Sequence, residues 1–439
     1  MLTPQPGLRL AILVALATTA SSLRAQGIST ASPRGIGMGG AYGAVARGVS
    51  AGPLNPAMLG LDDNPDFTLT LPTVGADAGS SPIGWRDVSP YAGKLVPDAV
   101  KRGWLARIPA GGTFDLVTDV ALQPIGLSIG RFALNVTGIA GGSARLPKDA
   151  VSLLLFGNAD SSDSGGTYSL DRGTATGFLA SSASLSTGFE LGHVAGGALS
   201  VGVTGKLVVG LAFAGLWGTQ GSVSATPIGG DIRFPTVTID NTSHPFDNKG
   251  YGLDAGLAWQ SRRVTLGFAV SDIINSFRWQ AANARLRDGR IFFNTDSATS
   301  SYTNKALNDP TLDTSAVKSA KALLDEARFR PSLRASAAFD MGSGLTLAAE
   351  GYRVSGGLTG HNLSAWTHGA VGAEWRWLGG VFPVRGGAGL ASDGGFDWSA
   401  GTGLDFSAFN LNVAYGETRP SGGGTVSRLA VGVAFGRGR

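Results

Sequence analysis

Apolar and polar residues alternate through most of this chain. In the segment 427–436, Leu429, Val431 and Val433 occupy alternate positions, and Arg428 lies on the opposite face. A period of two residues is typical of a β-strand with one apolar and one polar face. Segments of this kind, each of about ten residues, predict fourteen strands near 66–78, 113–129, 131–144, 175–191, 196–211, 250–260, 263–274, 331–341, 344–353, 365–377, 381–391, 396–406, 409–416 and 427–436.

The connections between the predicted strands alternate in length. When the predicted strands are numbered in chain order, each connection from an even-numbered to an odd-numbered strand is a tight turn, as at Gly130-Arg131 and Ser261-Arg262. Most connections from an odd-numbered to an even-numbered strand are long loops, such as 79–112, 212–249 and 275–330. Short turns at one end and long loops at the other are the asymmetry of transmembrane β-barrels. We therefore predict an all-β fold, a 14-stranded antiparallel transmembrane barrel with short helices in its outer loops. A large soluble β-sandwich or propeller is the alternative.

The composition excludes several kinds of site. Glycine accounts for 68 of 439 residues, only 15% of residues are charged, and cysteine is absent. Disulfides, zinc–thiolate sites and cysteine nucleophiles are therefore excluded. The net charge is +4, but the Lys and Arg residues are scattered and form no basic run. We expect no nucleic-acid partner, because nucleic-acid binding usually needs a clustered basic face. We also expect no cofactor.

The first 25 residues have the three parts of a secretory signal peptide. Arg9 supplies the positive charge, Leu10 to Ala20 form a short apolar stretch, and Ala25 is the expected last residue before cleavage. The mature chain is then expected to begin at Gln26. The sequence thus divides into a signal peptide at 1–25, a plug segment at 26–62 and a barrel at 63–439.

A glycine-rich stretch follows the signal peptide. It runs from Arg34 to Leu61 and contains a plug motif consisting of Gly35, Gly37, Gly39, Gly40, Asn55 and Pro56. Three of these glycines match the dinucleotide pattern G-x-G-x-x-G, but no βαβ unit surrounds them, so nucleotide binding is discounted. We predict a tight turn and a small helix, Ala41 to Arg47, packed inside the barrel. A flexible mature N-terminus is the alternative.

The same stretch resembles the mature N-terminus of the FadL-like outer-membrane barrels. The resemblance rests on Arg34-Gly-Ile-Gly-Met-Gly-Gly-Ala41, Ala44 and Asn55-Pro-Ala57. It implies fourteen strands, the outer membrane of a Gram-negative-type bacterium, and passive uptake of hydrophobic molecules such as long-chain fatty acids or aromatic hydrocarbons. The implied partners are membrane lipid, a hydrophobic small-molecule ligand and the barrel-assembly machinery during biogenesis.

Two other functions fit the same architecture. Related barrels of the PorV type carry a similar motif and bind partner proteins in secretion or surface attachment, so a surface or secreted protein is the alternative partner. A general porin is a third hypothesis, but a plug and a sparsely charged lumen argue against it.

The long loops contain two predicted helices, near Asp98–Ile108 and Ser315–Arg328. Apolar residues of these helices are candidate contacts in an outer hydrophobic groove: Trp104, Leu105, Leu323, Leu324 and Phe329. The alternative is that the helices pack on the barrel rim for stability alone. The apolar run from Val151 to Gly157 lies in another outer loop. In the third predicted strand, Gly141 and Gly142 are a candidate kink for a lateral exit, because paired glycines weaken strands.

Enzyme signals are weak. Ser128 lies in a G-x-S-x-G pattern, but it falls inside an alternating segment rather than at a strand-to-helix turn. None of the four histidines has the i, i+4 spacing of a helical zinc site. A lipid-modifying barrel with a Ser–His pair is the alternative. We predict that the protein is not an enzyme.

Overall fold

The computed structural model describes residues 32–157, 166–225, 227–358, 365–406 and 408–437, and the predicted signal peptide lies outside these ranges. The fold is a closed antiparallel barrel of fourteen strands, as predicted. The first barrel strand, β1, consists of two segments, Phe67–Thr70 and Thr73–Ser81. The others are β2 Thr113–Ile129, β3 Phe132–Pro147, β4 Thr174–Val194, β5 Gly197–Leu216, β6 Lys249–Gln260, β7 Val264–Asn275, β8 Ser332–Gly342, β9 Leu345–Val354, β10 Trp366–Trp377, β11 Phe382–Ala391, β12 Phe396–Phe406, β13 Phe409–Arg419 and β14 Thr425–Arg437.

The first and last strands close the barrel. In β1, Val74 pairs with Val431 of β14 on one side and with Leu122 of β2 on the other. The two segments of β1 are separated at Leu71 and Pro72. Proline has no backbone N–H, so it cannot complete the ladder at this position.

The burial of the wall residues confirms the faces predicted for 427–436, and β10 has the same arrangement. On β14, Leu429 and Val431 are exposed on the outside while Arg428 is buried; on β10, Glu374 is buried while Val371 and Trp375 are exposed. An apolar outer face is required because a charge facing lipid at mid-depth costs about 2–4 kcal/mol.

The long loops contain their own secondary structure. Additional strands, none of which was predicted, lie in the long loops at Thr167–Ser169, Gln220–Ala225, Ile228–Asp240, Arg285–Phe293 and Ala298–Ala306. The loop helices are Trp85–Val88, Asp98–Ala106, Lys148–Phe156 and Thr314–Glu326. The last begins after Asp313, whose carboxylate accepts the Ser315 N–H at 3.0 Å. Within the described ranges, we find no helix that combines the length and apolar character needed to cross a membrane.

The helix predicted at Ala41–Arg47 is wrong. That segment is a series of turns, and helices form on either side of it, at Pro33–Gly37 and Ala51–Leu54. The left-handed backbone of Gly39, with φ of 67°, and of Gly48, with φ of 57°, breaks the right-handed helical path at both ends. Short 3₁₀ segments at Gly48–Ser50 and Pro56–Gly60 complete this part of the chain.

Candidate functional site

Residues 32–64, here the inner segment, contact the barrel wall on opposite sides. The Gly39 N–H donates to Ser399 Oγ of β12 at 2.9 Å. On β5, Thr204 Oγ1 donates to the Gly52 carbonyl at 3.1 Å, and Ser200 Oγ donates to the Ala57 carbonyl at 2.7 Å. Strands β5 and β12 are seven strands apart in the fourteen-stranded barrel, so they face each other across it. The inner segment therefore spans the lumen. The division at residues 25 and 62 stays a prediction.

Two glycines of the motif allow the inner segment to lie directly against the wall backbone. A Cβ atom on Gly39 would lie 3.0 Å from the backbone nitrogen of Ala388, and one on Gly37 would lie 3.1 Å from Cα of Gly401. Both distances are shorter than ordinary van der Waals contacts. Backbone-to-backbone packing of this kind leaves no space for a side chain, which explains why the pattern of glycines is dense here.

The other two glycines of the motif shape the segment itself. The Gly40 N–H donates to the Gly35 carbonyl at 2.9 Å, and Gly40 has a φ of 91°. A Cβ on Gly35 would lie 3.2 Å from the ring of Tyr42. The chain therefore folds back on itself immediately before it meets the wall.

Asn55 and Pro56 form the second docking point. The Asn55 side chain is 1% exposed; its Nδ2 donates to the Leu257 carbonyl of β6 at 3.0 Å, and its Oδ1 accepts the Ala57 N–H at 3.1 Å. Pro56 follows. A Cβ atom on Gly188 of β4 would lie only 2.5 Å from the Pro56 carbonyl oxygen, so the glycine allows this close approach. One asparagine thus caps a helical turn and joins it to the wall.

A buried carboxylate holds the start of the inner segment. Glu374 of β10 is 1% exposed and accepts two hydrogen bonds from Arg34, at 2.7 Å from Nε and 2.8 Å from Nη2. Arg385 of β11 donates to the same carboxylate at 2.6 Å, and Arg376 donates at 3.0 Å. Three guanidinium groups therefore converge on one carboxylate, and one of the three belongs to the inner segment.

A second buried carboxylate lies one strand away. Glu350 of β9 accepts the backbone N–H groups of Tyr42 at 3.2 Å and Gly43 at 2.7 Å, and it is ion-paired with Arg334. The Arg334 guanidinium lies 4.4 Å from the ring centre of Tyr352. The wall between β8 and β11 thus holds the first part of the inner segment through charged groups.

At the other end of the inner segment, Arg47 and Asp63 form a bidentate ion pair with distances of 2.7 and 2.8 Å. Gln260, at the end of β6, also donates to Asp63 at 2.8 Å. Burial alone would raise the pKa of the Asp63 carboxyl, but the hydrogen bonds and positive charge of Arg47 outweigh burial and lower it below its ordinary value. This pair joins the end of the segment to the side of the barrel that has tight turns.

An apolar cluster, here the mouth cluster, lies at the long-loop end. Phe277 is fully buried, with its ring centre 5.2 Å from that of Trp279 and 5.5 Å from that of Phe329; Phe213 of β5 lies 5.3 Å from Trp279. Helix Thr314–Glu326 packs against these rings through its apolar face. The cluster consists of Val208, Phe213, Val237, Ile239, Phe277, Trp279, Ala284, Leu286, Leu307, Ala316, Ala320, Leu324, Ala327 and Leu358, with Phe178, Trp217, Ala281, Leu312, Val317, Leu323 and Phe329 packed on it.

The five candidate groove residues fall into two separate clusters. Leu323, Leu324 and Phe329 belong to the mouth cluster, as do the aromatic rings that sequence analysis did not single out. Trp104 and Leu105 belong instead to a second cluster with Ile83, Ile108 and Val151. The apolar run at 151–157 contributes to this second cluster as part of helix Lys148–Phe156, rather than as a loop.

The sequence contained a signal for two of the missed rings. Phe277 and Trp279 follow directly after β7, at alternate positions, in a loop that otherwise looks polar. The indole Nε1 of Trp279 is buried and makes no hydrogen bond to any described residue. A buried N–H without a partner is costly, so this atom is a point at which a hydrogen-bond acceptor of a ligand would be stabilised.

The strand pairing is continuous at the candidate exit. Gly141 pairs with Asp119 on β2 and with Phe178 on β4, and Gly142 pairs with Thr118 and Gly177, without a shift in register on either side. The position of Gly141 is instead used for packing, since the ring of Phe178 occupies the space of its absent Cβ. A lateral exit at these glycines would therefore require these pairs to separate. Ser128, the serine of the hydrolase-like pattern, is buried inside β2 and not at a turn.

Comparison with known proteins gives a structural likeness alone. No protein-family model matches the sequence, and no curated protein matches it. The crystal structure of a FadL homologue from Pseudomonas aeruginosa is 13% identical, covers 95% of this chain and 100% of that chain, and gives a TM-score of 0.50. The toluene transporter TbuX from Ralstonia pickettii is 15% identical over 93% of this chain and 98% of its own, with a TM-score of 0.48. The P. putida toluene transporter TodX is 11% identical over 92% and 98%, with a TM-score of 0.48. The likeness to the P. aeruginosa FadL homologue confirms the resemblance to FadL-like barrels at the level of the fold.

Proposed function

We propose that this protein is an outer-membrane channel for the passive uptake of hydrophobic small molecules, of the long-chain fatty-acid or aromatic-hydrocarbon class. In this proposal the ligand enters through the mouth cluster and reaches the lumen. Movement of the inner segment then opens the path to the other side. The FadL-like fold and the hydrophobic cargo named for the toluene transporters support this class of ligand.

The observation that carries the proposal is the mouth cluster above a lumen crossed by the inner segment. Four aromatic rings at Phe213, Phe277, Trp279 and Phe329 lie within a buried apolar cluster at the loop end. Burial of a large apolar side chain stabilises a protein by about 1.5–3 kcal/mol, and an apolar ligand in the same surroundings gains by the same mechanism. The unpaired Trp279 N–H would add selectivity for ligands that also carry an acceptor.

The first experiment locks the inner segment to the wall. A Cβ on Gly52 would lie 3.2 Å from Cβ of Ser186 on β4, slightly closer than the spacing of a disulfide. The natural chain has no cysteine, so a Gly52→Cys/Ser186→Cys variant contains one defined pair. Uptake of radiolabelled oleate and of radiolabelled toluene is measured in bacterial cells that lack other channels for these compounds. Oxidation should stop uptake, and reduction should restore it.

A matched pair in the wall provides the control. A Cβ on Gly432 would lie 3.2 Å from Cβ of Thr73, so a disulfide here would join two strands of the wall, β14 and β1. A Thr73→Cys/Gly432→Cys variant should transport equally in both redox states. Equal uptake by the locked and unlocked Gly52–Ser186 variant would refute movement of the segment. Absence of uptake of both compounds by the natural protein would refute the channel and favour the partner-binding alternative.

Release into the membrane through Gly141 and Gly142 is a separate part of the proposal. Replacement of both glycines by valine should reduce oleate uptake while the barrel still assembles, as judged by its heat-modifiable mobility on gels. Valine at 141 would collide with the ring of Phe178 and with the carboxylate of Asp119. The same pair is therefore also made with Phe178→Ala and with Asp119→Ala, which together remove both collisions. Undiminished uptake in both backgrounds would exclude an exit at these glycines.

A further inference from the structure

A polar pocket of about 600 Å³ lies among the outer loops, beside the mouth cluster but open on its own side. Its walls come from three parts of the chain: residues 171–174 with 217–220, the strand Ile228–Asp240, and the start of helix Thr314–Glu326. Trp217 forms one wall and also packs against the mouth cluster. A volume of this size is within the range of about 300–1,000 Å³ found for small-ligand sites.

Hydrogen bonds fix the rim of this pocket before any ligand binds. Arg172 has a left-handed backbone with φ of 68°, an uncommon conformation for a residue other than glycine. It is maintained by the Arg172 N–H, which donates to the Thr219 carbonyl at 3.0 Å, and by the Thr219 N–H, which donates to the Gly173 carbonyl at 2.9 Å. The Gly221 N–H donates to Asp171 Oδ1 at 2.8 Å. The two loops that carry Arg172 and Trp217 therefore form one rigid unit.

The lining groups define the chemistry of the ligand. The lining contains Asp171 and Asp313 together with Arg172 and Arg233, and Arg233 is already ion-paired with Asp288, so the pocket has no excess of positive charge. Arg233 is committed to Asp288 and Asp313 to Ser315, whereas the side chains of Arg172 and Gln220 make no hydrogen bond to other described residues. Hydroxyl groups of Thr174, Ser315 and Ser319 add further donors and acceptors.

We propose that this pocket is a saccharide-binding site, in which Trp217 stacks on the apolar face of a sugar ring and Arg172 and Gln220 bind its hydroxyl groups. An aromatic face beside planar polar side chains fits a neutral polyhydroxylated ring, which has an apolar face and a polar edge. A phosphate or other anion would need excess positive charge, which the balanced lining does not supply. The site is separate from hydrophobic uptake and stands independently of that function.

The test uses the full-length protein purified in a detergent without sugar headgroups, so that the detergent does not compete. Saturation-transfer NMR and titration calorimetry are carried out with two neutral probes, maltotriose and a neutral O-antigen oligosaccharide freed of its acidic core. We expect at least one probe to bind with a Kd of about 0.1–1 mM. Binding of the O-antigen oligosaccharide alone would identify the cell-surface glycolipid as the source of the sugar, and binding of maltotriose would identify free saccharides.

Three variants locate the site. Trp217→Ala should weaken binding by about 10-fold or more, and Arg172→Ala by about 5-fold. Trp217→Phe preserves an aromatic face and the packing on the mouth cluster, so binding should fall only about 2-fold to 3-fold. Trp85→Ala removes an indole that is 69% exposed in a different loop and should leave binding unchanged. No binding of either probe, equal affinity in Trp217→Ala and the natural protein, or displacement of the sugar by inorganic phosphate would overturn the proposal.

Discussion

The substitution Glu374→Gln should release the start of the inner segment. The carboxylate is 1% exposed and accepts hydrogen bonds from Arg34, Arg376 and Arg385, of which Arg385 is almost as deeply buried. Glutamine has nearly the same shape but no charge, so three guanidinium groups would remain around a neutral amide. Breaking a buried ion pair from one side costs about 3–5 kcal/mol, and the share carried by the bidentate contact to Arg34 is about 3 kcal/mol.

Trypsin measures this release directly because it cleaves after Arg34. A loss of about 3 kcal/mol makes the locally open state about 100-fold more populated, and cleavage follows that population when closing is fast. Limited proteolysis of the folded barrel, with mass spectrometry of the new N-terminus at Gly35, should show about 100-fold faster cleavage. Conductance across a planar bilayer should rise in parallel if the freed segment leaves the lumen.

A matched substitution of a more exposed residue distinguishes loss of the Arg34–Glu374 contact from a general change of charge. Arg376 contacts the same carboxylate but is 44% exposed, so Arg376→Gln should cost at most about 1 kcal/mol and change cleavage by about 5-fold or less. Heat-modifiable gel mobility verifies that each variant is a folded barrel. Cleavage of Glu374→Gln at the natural rate, or equal acceleration by Arg376→Gln, would refute the reasoning.

Two further changes test the other contacts of the inner segment. Glu350→Gln removes the ion pair with Arg334 and weakens the bonds from the segment backbone; unfolding titrations should show a loss of about 3 kcal/mol, and a change below about 1 kcal/mol would contradict it. Asp63→Asn removes the pair with Arg47. Because the pKa of Asp63 is lowered in the folded protein, the pair stabilises fully above the ordinary pKa near 4 and is lost as pH falls through the lowered value. The difference in Tm between natural protein and variant should therefore be largest at pH 7 and disappear in strong acid, and a constant difference would exclude this pair as its origin.

The barrel strands could be predicted from the sequence because one face of each strand is apolar and the other polar. Predicted ends at the tight turns agree closely with the structure, as for β2 at Ile129 and β6 at Gln260. Ends at the loop side agree less well: β5 extends to Leu216 instead of 211. There the strands extend beyond the barrel wall and pair with loop strands, where both faces have similar surroundings and the alternation weakens.

The site was only partly predictable, since its contacts join distant parts of the chain. The plug motif showed that backbone must approach backbone closely, and Gly37 and Gly39 do so. The partners of Arg34 could not be identified, because several inward carboxylates on different strands were equivalent in the sequence. Similarly, the contact between Phe213 and Trp279 depends on how the loop after β7 folds back over the mouth.

The inner segment is held on its two sides by chemically different contacts, and this difference determines which part of the segment opens first. Near β9 to β12 the segment is held by buried carboxylates, Glu374 and Glu350. Near β4 to β6 it is held by neutral hydrogen bonds from Ser200 and Thr204 and by the buried Asn55. Loss of one charge at the first side therefore removes several strong contacts together, while the neutral side depends on many small ones. We expect Glu374→Gln to free residues 34–41 first, while Asn55 stays docked and the segment remains attached to β5 and β6. Uptake then also requires this second side to separate, which is the step that the Gly52–Ser186 disulfide blocks.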